Sequence, residues 1–145
     1  MKITNLMFGD WVRFKENYPQ KELQGKIAKV RGINGRVDVR TLDGEYHNSV
    51  HPNWLEPIPI TPEILADNGF ERHPLWHHCT LYHDDGSKIY IPLACGGGIE
   101  YVSVYKHFDD LTKRDIDIQI PIYYVHQLQH LLRLCDIEME ITLTD

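Results

Sequence analysis

The first 58 residues of the chain alternate short apolar runs with turns that contain glycine. Asn34-Gly35 and Asp43-Gly44 are typical hairpin turns, because these residue types tolerate a positive φ. Between the two turns, Val37, Val39 and Thr41 alternate with charged residues, which is the period of a half-buried strand. Five such short strands predict a small, strongly bent β-barrel of the SH3-like type over residues 1–58. Barrels of this kind bind other molecules more often than they catalyse reactions.

A proline-rich segment, Pro57-Ile58-Pro59-Ile60-Thr61-Pro62, follows the predicted barrel. Proline at this density excludes a central strand or a helix interior. We therefore interpret residues 59–70 as a linker with a short helix, for which Thr61 provides the N-cap and Gly69 the end. Residues 71–145 predict a small α+β domain in which one main helix packs on an antiparallel sheet, so the whole chain is of the α+β class.

The second half of the chain contains four segments that favour strands. They are Trp76–Tyr82, Lys88–Leu93, Ile99–Tyr105 and Ile116–Ile120. Tyr124–Cys135 predicts a helix, since its apolar residues recur at helical spacing. Ile137–Leu143 predicts a final strand with one apolar face, and such an end strand offers an edge at which a second copy of the chain can pair.

Composition and charge narrow the class of protein. Residues 1–58 carry nine Lys and Arg against seven Asp and Glu, a net charge of +2, whereas residues 59–145 carry six against fourteen, a net charge of −8. No segment approaches the roughly 20 apolar residues of a membrane helix. The polar start is unlike a secretory signal, and the three cysteines are odd in number and lack a C-x-x-C spacing. We therefore expect a cytoplasmic protein with free thiols and no membrane contact.

Four segments together carry a resemblance to a family. They are Gly9-Asp10-Trp11-Val12, Trp54-Leu55-Glu56-Pro57-Ile58, Thr61-Pro62-Glu63-Ile64-Leu65 with Asn68-Gly69-Phe70, and Val125 to Cys135. In this pattern the chain resembles a group of small uncharacterised proteins from Bacteroides-type gut bacteria, many of them encoded in phage-like or mobile DNA. The resemblance implies no activity. It implies only that the helix with His126 and His130 belongs to the common pattern of the group.

His126 and His130 are the candidate metal ligands. Four residues apart on a helix, their side chains lie one turn apart on the same face, a geometry that can hold zinc. A zinc protease of the H-E-x-x-H type needs a glutamate where this chain has Gln127, so the sequence does not favour that mechanism. A third ligand would come from Asp115, from Asp117 or from a histidine within residues 73–83. The alternative is that both histidines make ordinary hydrogen bonds.

A second candidate site is a basic face on the predicted barrel. Cations near the aromatic residues Trp11, Phe14 and Tyr46 suit nucleic acid, because single strands are held by stacking together with positive charge. The predicted nucleic-acid-binding residues are Arg13, Lys29, Arg31, Arg36 and Arg40. The acidic residues Asp38, Asp43 and Glu45 interrupt the face. An ordinary solvated charged surface is therefore the alternative.

These observations predict a non-catalytic binding or adaptor protein. Its partner is a protein, or a nucleic acid held through the N-terminal barrel, and no cofactor is expected. The alternative function is a metal-dependent hydrolase that uses His126 and His130. Stoichiometric zinc that is lost in a His126→Ala variant separates the two functions.

Overall fold

The computed structural model describes residues 5–73, 78–82, 88–92, 102–106 and 116–144. Within these residues the chain is an α+β protein with two antiparallel sheets and one main helix, as the sequence predicts. It divides into two compact units. Unit 1 comprises Met1–Ile58 with Tyr124–Gln129 and Leu143–Asp145, and unit 2 comprises Pro59–Tyr123 with His130–Thr142.

Unit 1 contains a five-stranded antiparallel sheet with the order β4-β3-β2-β1-β5. Its strands are β1 (Trp11–Phe14), β2 (Ile27–Ile33), β3 (Val37–Thr41), β4 (Tyr46–Val50) and β5 (Leu55–Pro57). Gly35 and Gly44 have φ angles of 66° and 95°, so both predicted hairpin turns use glycine in the left-handed region. Short 3-10 helices at Lys21–Leu23 and Pro52–Trp54 complete the unit's connections.

One face of this sheet forms the core of unit 1. Val12 pairs with Ala28, and Phe14 pairs with Leu55, and all four residues are fully buried. The wider cluster comprises Leu6, Leu23, Val30, Val37, Val39 and Val50. The alternation of Val37 and Val39 with charged residues therefore predicted the buried face of β3 correctly.

Two register shifts bend the sheet, one in β2 between Val30 and Gly32 and one between Val37 and Val39 where β3 pairs with β4. The irregular alternation of β2 predicts the first. At Gly32 a Cβ atom would lie 2.9 Å from Asp38 Oδ2, so a larger residue there would displace the Asp38 side chain. The bulges determine which side chains of neighbouring strands share a face.

Unit 2 begins with the helix α1 (Pro62–Asp67), as the sequence predicts. The Thr61 hydroxyl accepts a hydrogen bond from the Ile64 N–H at 3.3 Å, and Gly69 with a φ of 81° follows the helix. A second antiparallel sheet has the order β10-β9-β8-β7-β6. Its strands are β6 (Glu71–Arg72), β7 (His78–Tyr82), β8 (Lys88–Pro92), β9 (Val102–Lys106) and β10 (Ile116–Ile120).

The main helix, α2 (Val125–Leu134), confirms the predicted helix over Tyr124–Cys135. Its first half is grouped with unit 1 and its second half with unit 2, whereas the sequence places it wholly in the second domain. Val125, Leu128 and Leu132 are fully buried, as expected for the apolar face. His126 and Gln129 of the predicted polar face are also buried, so this helix is covered on more than one side.

The predicted final strand over Ile137–Leu143 is wrong, because this segment joins neither sheet. Its alternation is nevertheless real: Ile137, Ile141 and Leu143 are buried while Glu138 and Glu140 are exposed. The amide side chain of Asn68 stands in for a neighbouring strand. Its Oδ1 accepts the Thr142 N–H at 2.7 Å, and its Nδ2 donates to the Thr142 carbonyl at 2.8 Å.

The helices in the described part of the chain include none that is both long and apolar enough to cross a membrane. Cys79 is a buried free thiol.

Candidate functional site

The face of the first sheet opposite the core carries a row of four polar and aromatic side chains. Trp11 pairs with Lys29, Lys29 with Arg40, and Arg40 with Tyr46. Directly paired residues of antiparallel strands project from the same face of a sheet, at Cβ separations of about 5 Å. The row therefore runs straight across β1, β2, β3 and β4, with an aromatic ring at each end and two cations between them.

The cations of this face lie over aromatic rings. Lys29 Nζ is 5.0 Å from the centroid of the Trp11 ring, and Arg40 Cζ is 5.1 Å from that of Tyr46. Both are cation–π distances. Arg31, two residues beyond Lys29 on β2, has its Cζ 5.9 Å from the Phe8 ring. We call these six residues the aromatic–cationic face: Phe8, Trp11, Lys29, Arg31, Arg40 and Tyr46.

Exposure divides the three rings of this face into two kinds. Trp11 is only 7% exposed, although it lies outside the core cluster, and the Lys29 ammonium covers it. Tyr46 and Phe8 are 62% and 63% exposed. Trp11 is therefore a support beneath Lys29, whereas Tyr46 and Phe8 are open to a ligand.

A shallow cavity of about 310 Å³ lies on this face. It is lined by Trp11, Lys29, Arg31, Arg40, Thr41 and Leu42. Sites for small organic ligands are mostly apolar, with few charges. Three cations around one shallow cavity suit an anion instead.

Two of the three acidic residues that interrupt the basic sequence, Asp43 and Asp38, bind groups other than the cavity's cations. Asp43 pairs with Lys26 at 2.7 Å and accepts a hydrogen bond from the Thr41 hydroxyl, and chiefly the bond from Lys26 lowers its pKa to about 2. The Asp38 carboxylate accepts the Ser49 N–H at 2.7 Å. None of the carboxylates in the described residues forms an ion pair with Arg31 or Arg40.

The structure separates the five predicted nucleic-acid-binding residues into two groups. Lys29, Arg31 and Arg40 come together around the cavity. Arg13 is set apart by a salt bridge of 2.8 Å from its Nη2 to Glu56 of β5. Arg36 is exposed in the turn between β2 and β3, outside the cross-strand row.

Two aromatic residues differ from what the sequence suggests for this face. Phe14 is fully buried in the core, where its ring meets Tyr18 at a centroid distance of 4.8 Å. Phe8, which the sequence reasoning missed, precedes β1 and joins the face through Arg31. Its position outside any strand gave no periodic signal that could have identified it.

The candidate metal ligands are placed as the helix predicts, one turn apart on α2. His126 is 5% exposed, and its ring stacks on Tyr124 with centroids 5.9 Å apart and planes 10° apart. Over the described ranges there is no group of three or more His, Cys, Asp or Glu side chains that could hold a metal. Asp115 lies outside the described residues, and the metal site stays a prediction.

Unit 2 contains a pair of neighbouring histidines. His73 and His78 stack with ring centroids 5.2 Å apart, and His78 also meets Tyr90 at 4.5 Å. Burial lowers the pKa of His78, and the neighbouring charge of His73 lowers it further. The other two histidines within residues 73–83, His77 and His83, lie outside the described residues.

No protein-family model and no curated protein matches this sequence.

Proposed function

We propose that this protein is a non-catalytic binding module that holds nucleic acid on the aromatic–cationic face. The cross-strand row of Trp11, Lys29, Arg40 and Tyr46 is the observation that carries the proposal. Cations contribute most of the affinity for a phosphate backbone, and aromatic rings beside them contribute stacking to bases.

The chemistry of the face favours nucleic acid over a protein partner. Protein–protein interfaces are enriched in arginine and aromatic residues but depleted of lysine, whereas a phosphate backbone binds lysine and arginine alike. Here Lys29, Arg31 and Arg40 occupy the middle of the face and the exposed rings lie around them. The net charge of +2 on residues 1–58, against −8 on the remainder, also makes this part of the chain the one that attracts a polyanion.

We further propose that the sheet of unit 1 is an SH3-like barrel. The strand order, in which β5 returns to pair with β1, supports this assignment. So does the 3-10 helix at Pro52–Trp54, which links β4 to β5. The two bulges add the local bending that a small barrel needs.

Fluorescence anisotropy with a labelled mixed-sequence oligonucleotide tests the proposal. The Lys29→Glu/Arg40→Glu variant reverses two of the three clustered cations, and Arg36→Glu is a single charge reversal outside the row. We expect the double variant to bind at least about tenfold more weakly and Arg36→Glu to remain within about threefold of the wild type. Thermal melts of all three proteins check that the fold is retained.

The salt dependence provides a second readout. Each neutralised phosphate contributes about −0.7 to −0.9 to the slope of log K against log salt, so three cations give a slope of about −2 to −3. A fourfold rise in salt then weakens wild-type binding by at least about fifteenfold, and the slope of the double variant falls to about −1. Absence of binding at low salt, or equal losses in Arg36→Glu and the double variant, refutes the proposal.

A further inference from the structure

We infer that the nucleic acid is single-stranded, with a base stacked on the exposed ring of Tyr46 and the adjoining phosphates on Arg40 and Lys29. This inference rests on the proposed function and names the form of its ligand. Two observations support it: the exposure of the rings on the aromatic–cationic face, and the contacts that fix the cations beside them.

The exposure of the rings points to unpaired bases. Arg40 covers one side of the Tyr46 ring, yet Tyr46 is 62% exposed, so the exposed area lies on the remaining side and the edge of the ring. A base can stack there only if it is not already stacked and paired within a duplex. Base–aromatic stacking is the usual means by which proteins hold single strands without reading their sequence.

The cation beside the ring is held in place before any ligand binds. Arg40 Nε donates a hydrogen bond to the Gly44 carbonyl at 3.2 Å, while Arg40 Cζ lies 5.1 Å from the Tyr46 ring. Gly44 has a φ of 95°, and a Cβ there would lie 3.4 Å from Arg40 Nη2, so the guanidinium lies beside the turn before β4. A preorganised cation loses less side-chain entropy on binding than a mobile one.

The second cation, Lys29, lies on the strand next to that of Arg40. Lys29 pairs directly with Arg40, and Arg40 pairs directly with Tyr46, so the Cβ atoms of the three residues follow one another in steps of about 5 Å across the sheet. In a nucleotide the phosphate likewise lies beside the base, so a base on the Tyr46 ring would have its phosphate near the cations. Trp11 contributes as a positioning residue that supports the Lys29 ammonium from below.

Tyr46 variants test the inference with three probes: a single-stranded oligonucleotide, its duplex, and a single strand of the same length with abasic sites. Tyr46→Leu removes the ring, Tyr46→Phe retains it, and Tyr82→Leu changes an equally exposed tyrosine of unit 2, which is 66% exposed. We expect Tyr46→Leu to weaken binding of the single strand about tenfold, with Tyr46→Phe and Tyr82→Leu within about twofold of wild type.

The abasic strand separates stacking from an indirect effect through Arg40. If Tyr46 stacks on a base, Tyr46→Leu leaves binding of the abasic strand unchanged, and the wild type binds the duplex at least about fivefold more weakly than the single strand. Equal affinity for duplex and single strand, or an equal loss on the abasic strand, overturns the inference. The proposed function survives that result if Lys29→Glu/Arg40→Glu still weakens binding at least about tenfold. Absence of binding to all three probes overturns both.

Discussion

Asn68 joins two segments of unit 2 that are 74 residues apart in the chain. Its Nδ2 donates to the Ile64 carbonyl and to the Thr142 carbonyl, each at 2.8 Å. Its Oδ1 accepts the Thr142 N–H at 2.7 Å and the Thr142 hydroxyl at 3.1 Å. Asn68 is only 9% exposed, so an Asn68→Ala variant removes four hydrogen bonds at a largely buried position.

The expected loss follows from these bonds. Each hydrogen bond contributes about 1 kcal/mol net, and the bond from the Thr142 hydroxyl contributes least because this residue is exposed and its hydroxyl can bind water instead. Asn68→Ala should therefore lower the free energy of unfolding by about 3 kcal/mol. For a chain of this length, that loss corresponds to a fall in Tm of about 10 °C.

Urea unfolding measures this loss, with Thr142→Val as the matched control. Thr142→Val removes only the hydroxyl and retains the backbone N–H and C=O, so it should cost less than about 1 kcal/mol. Hydrogen exchange gives a local readout, because the Thr142 amide should lose its protection in Asn68→Ala. A loss below about 0.5 kcal/mol, or an unchanged exchange rate at Thr142, would falsify the reasoning that Asn68 substitutes for a neighbouring strand.

Three further predictions concern single side chains. The pKa of Asp43 is about 2 rather than 3.8. The ionised carboxylate therefore stabilises the folded protein above pH 3.8, and this stabilisation is lost as the pH falls towards 2. Lys26→Met should raise the pKa of Asp43 in carboxyl NMR titrations. The pKa of His78 is lowered mainly by burial. The stability of the fold therefore falls as the pH drops below about 6.5. In imidazole NMR titrations His73→Ala should leave most of the lowering of the His78 pKa in place. Gln129 is 2% exposed, and within the described residues neither its Nε2 nor its Oε1 has a hydrogen-bond partner. Gln129→Met should therefore raise the free energy of unfolding, measured in urea, by about 1 kcal/mol. A loss of stability in this variant contradicts the prediction.

The elements that could be predicted from the sequence depend on interactions between near neighbours. The turns at Gly35 and Gly44, the Thr61 cap and the helix α2 each arise from residues within a few positions of one another. For the same reason the buried face of β3 could be predicted from its alternation. The candidate cations Lys29, Arg31 and Arg40 could be named because the sequence shows charge, but it could not separate them from Arg13 and Arg36.

The pairing of residues far apart in the chain could not be predicted from the sequence and is given only by the tertiary structure. The register of β1 to β4, with its two bulges, places Lys29 and Arg40 between Trp11 and Tyr46, while Glu56 of the distant strand β5 neutralises Arg13. A slip of one residue turns every side chain of a strand to the opposite face, so a face shared by four strands cannot be deduced from any one of them. The C-terminal segment illustrates the same limit, because its alternation determines which residues are buried, whereas only the fold decides that an asparagine side chain satisfies its backbone.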